Sequence, residues 1–350
     1  MAAMTQSARE PTIVDSVPKA ELHLHLEGSI RPETAVELAA RHGTKLTAEE
    51  VAARYTYSDF AGFIDVFKWV TSFLRDPDDY ALITRRLLEE LMRQNVVYAE
   101  ITISTGVMLR RMQDVGANFA AIRETSQIVS FSRLRTAWIF DAARQFGADS
   151  AKEVARWACK LHTSGVVAFG MGGDELSFPA VNFRAAFDLA RNEGLHIVCH
   201  AGEIGGPESV SEAVEILGAE RIGHGIAVMH DPALAETLAL RRIVLENCPT
   251  SNLCTGALAK QIGKKSASLP DHPLAQFIER GLPVVLSSDD PALFHTDLLT
   301  EYSRAASLGL SPKQLLQLAE QSFNSAFLSP LDKRQLLDDF RAATKTAGLL

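Results

Sequence analysis

His23 and His25 interrupt an otherwise apolar run, Glu21-Leu22-His23-Leu24-His25-Leu26-Glu27-Gly28. In an extended chain successive side chains alternate between faces, so both imidazoles point one way and Leu22, Leu24 and Leu26 the other. Such a pair is either two metal ligands or two hydrogen-bonded core histidines, and its company downstream decides between them. Three more polar clusters each end a short apolar run: His200-Ala201-Gly202-Glu203, Gly223-His224-Gly225 and Ser288-Asp289-Asp290. Imidazoles and carboxylates collected in one place would be buried with unbalanced charge unless a cation joined them. Ligation rich in nitrogen, with one carboxylate and no thiolate, suits zinc, and an open position on that ion brings the pKa of water down toward about 7.

The elements that must position these groups are legible as a repeat. Apolar or β-branched runs occur at 19–26, 96–102, 134–141, 166–170, 196–200, 221–224, 243–246 and 283–287, separated by stretches with helical spacing. Strands alternating with helices call for a parallel sheet, and eight such units close into a TIM-type (β/α)8 barrel. A doubly wound open sheet is the runner-up, weakened because no Gly-rich phosphate loop follows the first strand. In a barrel the chemistry sits at the strand C-termini, where His23, His25, His200, His224, Asp289 and Asp290 fall. Extra helices are expected at 60–74, as a packing layer or a lid over the mouth, and in the tail at 312–328 and 331–346. Asp76-Pro77 and Asp231-Pro232 read as helix starts, and Ser150-x-x-Glu153 as a capping box. Residues 1–16 read as a flexible tail and 17–350 as one domain.

Composition narrows the partners. A chain of 350 residues with 47% hydrophobic and 22% charged content can bury a large core. Its net charge of -8 and lack of a clustered Lys/Arg stretch argue against nucleic acid. No segment is apolar enough for a bilayer or a signal core, and four dispersed cysteines read as free thiols, so a cytoplasmic location is expected.

Six stretches, residues 18–29, 172–175, 200–203, 221–225, 248–252 and 288–291, together resemble the motif set of the adenosine deaminase family, in order and over nearly the whole chain. The resemblance implies a zinc-dependent barrel hydrolase, one zinc per subunit, acting on a small purine nucleoside. It implies zinc held by His23, His25, His200 and Asp289, with His25 also beside substrate. Glu203 would protonate purine N1, His224 would orient and polarise the attacking oxygen, Asp290 would bond N7, and the Gly173 N–H would meet N3. Chemically this is coherent: displacing ammonia from an aromatic ring needs a strong nucleophile and proton delivery together. The His-x-Glu with Pro-Cys-x-x-Cys signature of the other zinc deaminases is absent.

The chain departs from the adenosine-specific pattern at Glu27, where Asp is usual and meets the ribose 5′-hydroxyl. Deamination of adenosine or 2′-deoxyadenosine is the first expectation. The alternatives are free adenine and a 5′-modified adenosine such as aminodeoxyfutalosine, which carries a carboxybenzoyl group in place of the 5′-hydroxyl and belongs to a menaquinone pathway. Arg31 is a candidate partner for that carboxylate. A two-metal amidohydrolase is disfavoured because strand four offers Phe169, Gly170 and Met171 in place of a bridging lysine. Asp174 and Glu175 read as substrate contacts or a structural ion pair, Asp141 at the end of strand three as a helix cap ahead of the alternative that it reaches the pocket, and His42, His162, His196, His230, His272 and His295 as structural or surface groups, with His295 the foremost exception.

Overall fold

The computed structural model describes residues 9–131 and 133–349. Eight parallel strands, β1 (Lys19–His25), β2 (Val96–Ile103), β3 (Arg135–Ala143), β4 (Val166–Gly172), β5 (His196–Ala201), β6 (Arg221–His224), β7 (Val244–Asn247) and β8 (Val284–Leu286), pair in sequence order. Neighbour-to-neighbour order through all eight is the barrel topology; the doubly wound alternative would reverse order at a switch point. Closure falls beyond the end of β8. Leu24 bridges Asp289 in parallel, the Asp289 N–H donates to the His23 carbonyl (3.1 Å), and the His25 N–H donates to the Asp289 carbonyl (2.8 Å).

Every residue of β1 is buried, as expected of a strand enclosed on one side by barrel interior and on the other by helices. Helix starts follow the sequence signals in most places. The Asp76 carboxylate accepts from the Asp79 N–H ahead of Pro77–Arg93, and Asp231 accepts from Ala233 and Leu234 ahead of Pro232–Arg241. The capping box at Ser150 is not formed. The helix starts three residues earlier, at Gly147, directly after a 3-10 turn over Arg144–Phe146, so Ser150 lies inside it. Short helices at Thr105–Arg110, Pro249–Cys254 and Ala257–Gln261, and the longer Leu298–Ser307, follow strands β2, β7 and β8. The first two are six residues each, too short to show a periodic stripe. Among the described residues no helix is long and apolar enough to cross a membrane, and the four cysteines are free thiols.

Residues 1–8 of the expected tail lie outside the described residues. Ile13–Ser16 form a 3-10 turn with Val14 fully buried. The Lys19 ammonium, at the start of β1, donates to the carbonyls of Val14 (2.9 Å), Val17 (2.7 Å) and Asp15 (3.4 Å). Burial lowers the Lys19 pKa from its ordinary value to about 8. Between about 8 and the unfolded value of 10.5 the unfolded chain therefore binds more protons than the folded one, so this group's contribution to stability rises with pH across that window. Lys19→Met removes the donor and should cost about 1–3 kcal/mol near neutral pH, since the carbonyls stay buried without it. Denaturant titrations of parent and variant at pH 7.5 and 10 check both points. The parent should gain on the variant with rising pH, and equal stability at both values would refute the assignment.

Candidate active site

Four polar atoms meet at the C-terminal mouth of the barrel. His25 Nε2 lies 3.3 Å from His200 Nε2 and 3.4 Å from Asp289 Oδ1, and His23 Nε2 lies 3.3 Å from the same Asp289 oxygen. Ligands about 2.0–2.1 Å from a tetrahedral centre stand about 3.3–3.4 Å apart, so these separations fit one metal ion. His23 Nε2 is buried with no hydrogen-bond partner. An orphaned imidazole nitrogen facing two more imidazoles and a carboxylate is a metal donor set in its chemistry as well as its spacing. His224 comes within the same reach, with Nε2 3.8 Å from Asp289 Oδ2 and 3.7 Å from Glu203 Oε2.

The backbone spends strain to aim these groups. His224 and Asp289 both occupy the left-handed region, at φ of 63° and 64°, where side chains with a Cβ are disfavoured. The Asp289 turn is tied down by Glu21, whose carboxylate accepts from the Ser288 N–H (2.9 Å). From below, Glu246 on β7 accepts from His23 Nδ1 at 2.7 Å, which leaves Nε2 facing the cluster. Burial alone would raise Glu246, but the Arg221 guanidinium (Nε to Oε1, 2.6 Å) and His23 outweigh it and hold the carboxylate below its ordinary range. Burial also favours neutral His23, yet Asp289 and Glu246 outweigh that and raise it to about 10, so a proton and a cation compete for its Nε2.

Glu203 sits in a loop fastened by another carboxylate. Glu175 accepts from the N–H groups of Gly202 (2.6 Å), Glu203 (3.0 Å) and Ile204 (3.0 Å) and from the Ser209 hydroxyl (2.6 Å). Burial first, then the nearby Asp289 and Glu175 charges, push the Glu203 carboxyl well above its ordinary value. Gly173, at φ +99°, lines the same cavity, and a Cβ there would come 2.2 Å from Gln145 Oε1. Asp290 is buried with Oδ1 unpartnered, and it packs so closely on Gly28 that a Cβ at that position would lie 1.8 Å from Oδ1. Glu27 Oε1 accepts from the Ser104 N–H (3.0 Å), while Oε2 is buried without a partner. Burial raises Glu27 to about 7.

The cavity over these groups is walled by Phe60, Phe63, Ile64, Phe67, Phe146 and Phe294, with Lys68 at the rim. The helix Phe60–Thr71 serves packing and pocket with different faces: Val66 and Val70 are buried, and Ile64 and Phe67 face the cavity. Several expectations need correction. Asp174 and Glu175 form no ion pair: Asp174 accepts from the N–H groups of Leu176 and Ser177, and Glu175 holds the Glu203 loop. Asp141 caps no helix but lines the cavity, where burial raises it to about 8. Arg31 is outside the cavity, paired with Glu90 at 3.1 Å. His295 is exposed and does not line the cavity, whereas His272 is buried behind His224, joined to it through Asn252. Glu246 carried no sequence signal beyond ending an apolar run, and Asn252 was legible only as the last residue of the 248–252 stretch, with no role attached to it.

The adenosine deaminase family matches residues 18–343. An aminodeoxyfutalosine deaminase of Streptomyces coelicolor is 41% identical over 340 residues, covering 95% of this chain and 85% of that protein. An adenosine deaminase of Klebsiella pneumoniae is 34% identical over 335 residues, covering 93% and 98%. Among solved structures, adenine deaminase from Arthrobacter aurescens superposes with a TM-score of 0.87 at 30% identity, covering 94% of this chain and 99% of that one. With a purine-type deamination site at the mouth of an eight-stranded barrel and a match over nearly its whole length, the chain belongs to the adenosine deaminase family of aminohydrolases.

Proposed function

We propose that this protein removes the 6-amino group hydrolytically from a 5′-modified adenosine carrying a carboxylated aromatic group, as in aminodeoxyfutalosine. The observation that carries this reading over plain adenosine is the aromatic wall of Phe60, Phe63, Phe67, Phe146 and Phe294 with Lys68 at its rim. A ribose 5′-hydroxyl gives such a wall little to bury, whereas an aryl group would stack on it and a carboxylate would reach the ammonium. Greater identity to the aminodeoxyfutalosine deaminase than to the adenosine deaminase supports the same choice. Glu27 supports it too, since its unpartnered Oε2 extends one methylene further than the Asp usual in adenosine-specific relatives.

His23, His25, His200 and Asp289 would hold a zinc ion, which when bound supplies a hydrolytic nucleophile at neutral pH. Glu203, kept protonated by burial, donates to purine N1 and so drains electron density from C6. Asp290 faces N7, which can only accept, so its carboxyl must present a proton there. The Gly173 N–H meets N3, and His224 positions the attacking oxygen against C6. Ammonia then leaves and the 6-oxopurine remains.

Glu203→Gln keeps the shape and the donor but cannot return a proton, so turnover should fall by about 10²–10⁴ while zinc stays at one equivalent per chain by elemental analysis. Activity within a few-fold of the parent would remove Glu203 from the chemistry. In a panel of adenine, adenosine, 2′-deoxyadenosine, methylthioadenosine and aminodeoxyfutalosine, the last should have the highest kcat/KM; preference for adenosine would restore the plain nucleoside reading. Lys68→Ala should lower kcat/KM about two- to fivefold for the carboxylated substrate alone, the size expected of an exposed ion pair.

A further inference from the structure

Behind His224 lies a chain of buried groups that the proposed chemistry does not use. His272, 4% exposed, and Asn252, fully buried, connect His224 to the first turn of the helix Leu274–Glu279. The Leu274 N–H lies 3.2 Å from His272 Nδ1, His272 Nε2 lies 3.1 Å from Asn252 Oδ1, and Asn252 Nδ2 lies 3.0 Å from His224 Nδ1. An imidazole proton or an amide orientation is ordinarily a choice between two arrangements. Here one end of the chain admits no choice, because a backbone N–H can only donate.

The consequences propagate in one direction. His272 Nδ1 must accept from Leu274, so neutral His272 carries its proton on Nε2 and donates to Asn252 Oδ1. Burial lowers His272 to about 3, consistent with a neutral ring. Reversing the Asn252 amide would point its NH₂ at the His272 Nε2 proton, donor against donor, between two buried side chains. The amide therefore donates to His224 Nδ1, and neutral His224 carries its proton on Nε2, the nitrogen that faces Glu203 and Asp289. The Asn247 amide fixes the same residue by its backbone, donating to the His224 carbonyl at 2.6 Å.

We propose that His272 and Asn252 are positioning residues which, anchored on the Leu274 N–H, lock His224 in the Nε2–H tautomer, so that it meets the attacking oxygen as a hydrogen-bond donor. A donor there engages one lone pair of the oxygen and leaves another aimed at C6; an Nδ1–H ring would present a lone pair at Nε2, which can only accept the oxygen's own proton and so turns the oxygen differently. The kinetic half of this inference rests on the deaminase reading above, while the tautomer itself does not.

The test is ¹⁵N–¹H long-range correlation spectroscopy of histidine-labelled, zinc-loaded protein, with His224 assigned by its loss in His224→Asn. The parent should show Nε2–H at His224. Asn252→Asp is isosteric but accepts at both oxygens, so the proton should move to Nδ1 and kcat should fall roughly ten- to hundredfold with KM within threefold. His272→Gln replaces the Nε2 donor and should keep both the tautomer and most of kcat, whereas His272→Phe should lose both. An Nδ1–H ring in the parent, or an Asn252→Asp protein that retains Nε2–H, overturns the relay. Should the parent deaminate none of the purines, the functional reading fails, and the ring proton still decides this one.

Discussion

The contact between Glu246 and His23 is the point on which the site turns. It joins the buried charged floor of the barrel to the cluster at its mouth. Below it, Arg221 on β6 lies 2.5 Å from Glu100 of β2 and 2.6 Å from Glu246 of β7, and its guanidinium stacks 3.9 Å over the Phe327 ring. Two buried carboxylates with one guanidinium leave a net negative charge, and that surplus reaches the cluster through the His23 ring. The fold thus delivers negative potential to a spot lined by imidazoles, a balance that favours a cation there over a void.

Closing the barrel and building the site are one act. No regular ladder joins β8 to β1; the seam is the Leu24–Asp289 bridge, and it depends on a left-handed aspartate whose side chain belongs to the cluster. Strain at Asp289 is therefore offset by the hydrogen bonds that complete the cylinder, and Glu21 adds another by gripping Ser288. A residue in so unusual a conformation can hold its carboxylate steady because two strands and a turn all specify its peptide.

What could be seen in advance follows from this arrangement. Eight apolar runs separated by helical spacing made the barrel legible, and polar residues at the ends of those runs made His23, His25, His200, His224, Asp289 and Asp290 legible, because strand ends are defined by local pattern. Groups acting on those residues were harder to see. Glu246 stands in a β-branched run like any buried-strand acid, and His272 precedes a proline ahead of a six-residue helix and reads as a loop histidine. Their roles come from neighbours far away in the chain, His23 lying 223 positions from Glu246 and Asn252 lying 20 from His272. The capping box at Ser150 failed for a related reason: the preceding turn over Arg144–Phe146 fixed where the helix could begin, and a good local signal lost to it.

The division between reaction and selectivity has the same origin. The groups that the proposed chemistry sets against the purine ring sit at or just beyond the ends of β1, β4, β5, β6 and β8, on backbone whose register the barrel sets. The apolar wall of the cavity comes from the helix Phe60–Thr71 and from segments after β2, β3 and β8, contributing Val107, Phe146 and Phe294. These elements pack on the mouth without being part of the cylinder, so their side chains can change without disturbing its closure. Glu27 stands between the two sets, following β1 directly while one of its oxygens is fixed by the Ser104 N–H beyond β2. On the proposed reading, a residue so placed would couple the length of one carboxylate arm to the shape of the pocket beside it.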